Sequence, residues 1–212
     1  MILRSPTGSA ALFGGPSGAA GTTIRGREDI FPSGGHCLSG YEIRSAASDD
    51  LPRIRELVRD YVAWIGLDLA FQEIDAEIDG LPGDYAPPRG VLLVASRPGE
   101  PPVAMIALRP LDSACLTDWS TVATAKVAAP SAKAGEMKRL YVHPSARGHG
   151  LARALIFRLM DDARALGYHE IRLDTLPMMG DAQALYSALG FADIAPYYDT
   201  PIAGTRFMAK RL

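Results

Sequence analysis

Ten residues, Tyr141-Val142-His143-Pro144-Ser145-Ala146-Arg147-Gly148-His149-Gly150, lead from an apolar stretch into an amphipathic one that begins at Leu151. Two glycines in one turn let successive backbone N–H groups point into a single concavity, and the positive end of a following helix adds to the field there. Such a turn suits an anion of pyrophosphate size. The two best-known nucleotide cradles do not fit the residues. A dinucleotide-binding turn wants three glycines spaced G-x-G-x-x-G, whereas Gly148 and Gly150 are followed by Arg153 at the third position. A P-loop wants lysine and then serine or threonine at the helix start, and this turn has neither.

The neighbouring residues must position that turn. Residues 136–142 alternate polar and apolar and predict a strand. From Leu151 the residues Leu155, Leu159 and Leu166 share one face with Ala152, Ile156, Met160 and Ala163, while Arg153, Arg158, Asp161 and Arg164 lie outside, which predicts an amphipathic helix ending near Gly167. Residues 170–174 return to strand character, so strand, cradle, helix and strand follow in order. Upstream, residues 41–45 read as a strand, and Ser48-Asp49-Asp50 with Pro52 reads as the start of a helix carrying Ile54, Leu57, Val58, Tyr61 and Ile65. A second helical patch over 71–78 is broken by Gly80-Leu81-Pro82-Gly83. The apolar runs 91–96 and 103–108 flank Arg97-Pro98-Gly99-Glu100-Pro101 and predict a β-hairpin feeding the cradle strand. Residues 112–135 fit neither pattern and are expected to be a loop insertion, mobile or acting as a lid.

Arg147-Gly148-His149-Gly150-Leu151-Ala152 resembles motif A of the GCN5-related N-acetyltransferases, written Gln/Arg-x-x-Gly-x-Gly/Ala. Downstream, Ala182-Gln183-Ala184-Leu185-Tyr186-Ser187-Ala188-Leu189-Gly190-Phe191 is similar to that family's A-x-x-L-Y-x-x-L-G-F ending. The likeness is most specific over 136–191 and extends from Tyr41 to the C-terminus. A little-characterised bacterial branch of the superfamily resembles the chain through Lys-Arg-x-Tyr-Val at 138–142, Leu-Asp-Thr-Leu at 173–176 and Pro-Tyr-Tyr at 196–198. The resemblance implies an α/β fold with a central mixed, largely antiparallel sheet flanked by helices. It also implies acetyl-CoA as acyl donor without a metal, and transfer to the amine of a small molecule. One departure stands out: Met179 occupies the position where much of the family has asparagine, and a thioether cannot supply amide hydrogen bonds.

Amide formation from a thioester needs a neutral amine, support for an oxyanion and a proton for the departing sulfur. The family pattern implies Tyr186 as the acid near the sulfur and Glu136 as the base acting through water. Packing in the core and plain solvation are the alternatives for these two side chains. Asp174 is a second carboxylate within reach of the same cleft, and Lys138 and Arg139 read as outward-facing charges. The pattern further implies that the main chain of Leu140, Tyr141 and Val142 pairs with the pantetheine arm, while Arg147, Gly148, His149, Gly150, Leu151 and Ala152 wrap the pyrophosphate. The His149 side chain itself reads as facing solvent. Tyr197, Tyr198 and Arg206 are candidates for contact with the acceptor. A non-catalytic acyl-CoA-binding module and a protein or peptide N-acetyltransferase are the competing readings.

With 212 residues and 48% hydrophobic content the chain suits one domain with a full core. The 22 Lys and Arg nearly balance the 24 Asp and Glu, giving no electrostatic reason to expect nucleic acid or an anionic membrane as partner. No apolar run approaches the ~20 residues of a bilayer span. Cys37 and Cys115 suggest neither a disulfide framework nor a metal site, and His143, His149 and His169 lack ligand spacing. Reduced thiols and a cytoplasmic location are therefore expected; monomer and homodimer both stay open. Residues 1–40 are rich in Gly, Ser, Ala and Pro without a periodic apolar face. A disordered extension, or a start placed too far upstream, is expected there rather than a targeting peptide, leaving 41–212 as the domain.

Overall fold

A computed structural model describes residues 40–66, 74–111 and 133–212. Among them the chain forms β1 (Glu42–Ser45), α1 (Leu51–Ile65), α2 (Ile74–Gly80), β2 (Val91–Ser96), β3 (Ala104–Pro110), β4 (Ala134–Val142), α3 (Leu151–Ala165), β5 (Glu170–Thr175), α4 (Gly180–Ala188), β6 (Ala192–Ile194) and β7 (Arg206–Arg211). The strands make one sheet in the order β1-β2-β3-β4-β5-β7-β6, antiparallel at every step except where β4 runs parallel to β5. This is the expected mixed, largely antiparallel α/β architecture. The hairpin pairs Val91 with Leu108 through to Ala95 with Ala104.

The leucine stripe of α3 explains one face of the sheet. Leu151, Leu155 and Leu159 are almost wholly buried against Leu93, Ile106, Leu108 and Ile171, and each such side chain contributes about 1.5–3 kcal/mol of burial. On the other face Ile54, Leu57 and Val58 of α1 and Ile78 of α2 cover Leu92, Val94 and Met105. With both faces covered, β2 is buried at every position, which is why its sequence reads as a continuous apolar run rather than an alternating one.

The start of α1 is tied to β1 by charge. The Asp50 carboxylate accepts the Ala47 N–H at 2.7 Å and two bonds from the Arg44 guanidinium at 2.6 and 2.9 Å. Arg44 thereby holds the Asp50 carboxyl below its ordinary value of 3.8. A carboxylate lowered in the folded state stabilises fully above its unfolded value, and that contribution is lost as pH falls through the folded value. Asp50→Asn is therefore expected to lower the urea midpoint at about pH 7, with the two curves converging as acid is added below about pH 4. Parallel curves would mean that the pair adds nothing to stability.

Two boundaries differ from expectation. The loop foreseen over 112–135 ends earlier, because Ala134 and Gly135 already belong to β4, opposite Pro110 of β3 and Glu170 and Ile171 of β5. Small residues there mark close packing rather than a loop: a Cβ on Gly135 would lie 2.9 Å from Leu108 Cδ1. The C-terminal segment also holds two strands that the local pattern did not announce, with β7 inserted between β5 and β6. The expectations for residues 1–39, 71–73 and 112–132 lie outside the described residues. Among the described residues no helix is long and apolar enough to cross a membrane.

Candidate active site

Strands β4 and β5 stay together only briefly. Their ladder runs from Ala134 opposite Glu170 to Glu136 opposite Arg172 and then stops. On its other edge β4 carries one extra residue, since Met105 pairs with Tyr141 but Ala107 pairs with Lys138. The bulge places Arg139 at φ 59°, a left-handed conformation rare for a side chain of that size. Beyond it the strands part, and a cavity of about 730 Å³ opens between them. Its walls include Leu151 and Tyr186 from the α3 face of the sheet and Tyr61 and Ile65 from the α1 face, so the cleft reaches both sides.

The predicted cradle forms the α3 side of that cleft. Gly148 and Gly150 sit at φ 81° and 74°, and Gly150 caps α3, so the first N–H groups of the helix lie beside the turn. Leu140, Tyr141, Val142, Arg147, Gly148, Gly150, Leu151 and Ala152 all border the cavity. Arg147 donates from Nε to the Val142 carbonyl at 3.1 Å and lies 5.4 Å from the Trp64 ring. His149 does not border the cavity. Its ring packs edge-on against Tyr41 at 5.5 Å, with Nδ1 3.0 Å from the Arg147 carbonyl. Successive side chains of a tight turn diverge, so only the backbone of this residue is left to serve the cradle.

Tyr186 stands on α4, deep in the α3 side of the cleft, with its ring 5.9 Å from that of Phe191. Burial pushes its phenol well above the ordinary value of 10. The neighbouring phenol of Tyr61 is pushed up to about 12, also by burial. Both hydroxyls therefore stay protonated through the neutral range and can donate hydrogen bonds.

The opposite face holds a cluster of charges. Glu136 is 1% exposed and takes Arg109 at 2.7 Å, the Tyr197 hydroxyl at 2.9 Å and Lys138 Nζ at 3.5 Å. It does not border the cavity; Lys138 and Asp174 do, joined at 2.8 Å across the gap between the parted strands. Burial alone would raise the Asp174 carboxyl, but Lys138 beside it and the Tyr198 hydroxyl hold it below its ordinary value of 3.8. Arg139 forms two bonds of 2.7 Å to Glu77, tying α2 to the bulge. Lys138 and Arg139 are thus not outward-facing: both are buried, because β4 is the central strand of a sheet covered on both faces and is buried at every position from Ala134 to Arg139.

The acceptor candidates divide, though none of the three borders the cavity. Tyr197 and Tyr198 pack edge-on against each other at 5.4 Å and against Phe207 at 5.1 and 5.0 Å, close behind the charge cluster. Arg206 is drawn instead to Asp193 at 2.9 Å and to Gln183 at 3.0 Å, and does not border the cavity. Met179 caps α4, with its sulfur 3.9 Å from the Thr175 hydroxyl. Trp64 and Met178, exposed by 52% and 56%, are wall residues that sequence reasoning missed. No local sequence signal marks them, because exposure of a large apolar side chain at a cavity rim is decided by the fold. Among the described residues no group of His, Cys, Asp or Glu is arranged to hold a metal ion.

An anion cradle at a helix start, opening into a strand split with a buried phenol on one side and compensated charges on the other, has the parts of an acyl-transfer site fed by a phosphate-bearing carrier. The acetyltransferase (GNAT) family model matches residues 51–191, and the chain belongs to that family of N-acetyltransferases. It is 32% identical over 160 residues to an uncharacterised N-acetyltransferase of Schizosaccharomyces pombe, covering 75% of this chain and 86% of that one. Among solved structures it resembles an acetyltransferase of Streptococcus agalactiae with TM-score 0.59 and 23% identity, over 82% of this chain and 99% of the other. The PaiA N-acetyltransferase of Thermoplasma acidophilum, solved in complex with coenzyme A, is similar with TM-score 0.56 and 17% identity, over 81% and 99%.

Proposed function

We propose that the protein moves the acetyl group of acetyl-CoA onto the amine of a small molecule by direct attack on the thioester. The observation that carries this reading is the cleft through the sheet, with an anion cradle on the α3 side and a charge cluster on the α1 side. The residues fit the donor. Beyond Glu136 the β5-facing edge of β4 has no strand partner, so the main chain of Leu140, Tyr141 and Val142 is available to an extended arm. The turn from Arg147 to Ala152 supplies N–H groups and a guanidinium for a pyrophosphate. Bound there, the coenzyme contributes the activated acetyl thioester.

The chain's own groups divide the remaining work. Main-chain N–H groups of the parted β4 support the carbonyl oxygen as it gains charge. Tyr186 donates its proton toward the sulfur as the carbon–sulfur bond breaks and the carbon–nitrogen bond forms. Of the three protons on the incoming ammonium, one stays on the amide, one makes good the proton given to sulfur, and one leaves for solvent. Glu136 stands behind Lys138 and does not border the cavity, so it balances that side chain's charge rather than taking the departing proton itself. An acceptor of small size suits a cleft that also has to hold the donor's arm.

The test begins with the unfolding midpoint of the purified chain across an acetyl-CoA titration, with adenosine diphosphate as control. A ligand held only by the native state at ~100 times its dissociation constant adds about 2.7 kcal/mol. A shift specific to acetyl-CoA, followed by release of coenzyme A with small primary amines, is the expected result. No shift in a folded sample would remove the donor site, and turnover confined to peptides would remove the small-molecule acceptor.

A further inference from the structure

Glu136 and Arg172 are the last paired residues of β4 and β5. Lys138 and Asp174 stand two positions further along each strand, so they project from the same face at the point where the strands have come apart. Their neighbours Met137 and Leu173 belong to the apolar core under α3, which puts the two charged side chains on the opposite side, facing α1. The 2.8 Å bond between them is therefore a bar across the cleft, at its narrow end. Any amine approaching a thioester from the α1 side meets that bar.

The bar has a second resting place. Lys138 Nζ lies 3.5 Å from Glu136 Oε1, and this oxygen is kept oriented by the Tyr197 hydroxyl. Lysine is a compact point charge on a flexible stem, well suited to moving between two carboxylates. Asp174, by contrast, has both Lys138 and the Tyr198 hydroxyl beside it.

Resting on the acetyltransferase reading, we propose that Asp174 is the docking carboxylate for the acceptor's ammonium group, and that Lys138 is a displaceable counter-ion which swings onto Glu136 when the acceptor arrives. The exchange does more than hold the substrate. Before it, Arg109, Lys138 and Arg139 balance Glu136, Asp174 and Glu77. With the ammonium added, the cluster carries one positive charge too many in a poorly hydrated place, and like charges favour loss of a proton. The proton passes from the ammonium to the Asp174 carboxylate and on to solvent, leaving the neutral amine beside the thioester. Charge balance also selects the acceptor: one amine is accommodated, whereas a polyamine would bring further cations with no carboxylate left to meet them. The rim residues Trp64 and Met178 favour an apolar body on that amine.

The experiment measures binding of 2-phenylethylamine and of spermidine by calorimetry to the full chain saturated with coenzyme A, in wild type and in K138M, D174N and E136Q. Acetyl-CoA affinity is measured alongside. Wild type is expected to bind phenylethylamine at least ~10-fold more tightly than spermidine. D174N is expected to weaken phenylethylamine binding by about 30-fold or more, as loss of a buried charge partner does. K138M removes the competitor and is expected to tighten it by several-fold, even if the fold is less stable. A merely structural ion pair would make K138M and D174N fail alike. If K138M does not fold, E136Q decides: removing the second resting place should weaken the amine about 5–10-fold with acetyl-CoA affinity unchanged. The proposal is overturned if neither K138M nor E136Q changes amine binding, if K138M weakens it, if spermidine binds as well, or if wild type binds neither amine. Loss of acetyl-CoA binding by wild type would instead strike the acetyltransferase reading itself.

Discussion

Tyr186→Phe is expected to lower kcat about 100-fold while leaving the KM for acetyl-CoA within about twofold, as removal of a single general acid does. That factor corresponds to about 2.7 kcal/mol of transition-state stabilisation. The substitution deletes one oxygen and keeps the ring, so the packing of Tyr186 against Phe191 on the α3 face is retained. Donor binding rests on the cradle, which the change does not touch, and an effect on kcat alone identifies an interaction made only as the sulfur departs. Because burial holds this phenol far above its ordinary value, the wild-type rate should show no alkaline fall due to its ionisation, and the variant should keep the shape of the pH profile. Steady-state rates of coenzyme A release across pH check both points. Unchanged kcat would end the role of Tyr186 as acid, and a tenfold rise in KM would mark it as a binding residue instead.

Gly90→Ala is expected to destabilise the fold by about 3 kcal/mol or more, at the upper end of what overpacking costs. A Cβ at this position would collide with main-chain atoms of Asp84 and Tyr85, which cannot rotate away as a side chain can. The turn is held by the Gly90 N–H bonded to the Ala86 carbonyl at 2.8 Å and by the Tyr168 hydroxyl on the Arg89 carbonyl at 2.6 Å. Moving it would disturb Tyr85, buried beside Glu77, and with it the Glu77–Arg139 pair that secures the β4 bulge. Gly80→Ala is the control: nothing lies within 4 Å of the added methyl, so little loss is expected. Urea unfolding of the two variants separates the cases, and equal midpoints would show that the turn adjusts freely.

The cradle was legible because it is local. Strand, turn and helix follow one another between Ala134 and Ala165, and glycine pairing, alternation and the leucine stripe are all read within a few residues. The hairpin and the helix start at Ser48-Asp49-Asp50 are legible for the same reason. Tyr186 and the main chain of Leu140, Tyr141 and Val142 came from motif likeness, and the cavity wall includes them.

The charge cluster was not legible. Lys138 meets Asp174 from 36 positions away and Arg139 meets Glu77 from 62, and no local period records such partners. Charged residues in an alternating strand read as facing solvent, and only the central place of β4 in a sheet covered on both faces puts Lys138 and Arg139 in the interior. Glu136 illustrates the same limit: its place in the strand was evident, but its burial behind Lys138 depends on Arg109 and Tyr197 arriving from distant segments. Sequence alone determined the family, the sheet class and the glycine turn that opens α3, since these rest on motif likeness, contiguous backbone geometry and periodic burial. Only the tertiary structure decided which carboxylate faces the cleft, because a charge can be buried only where its partner, from anywhere in the chain, is brought to meet it.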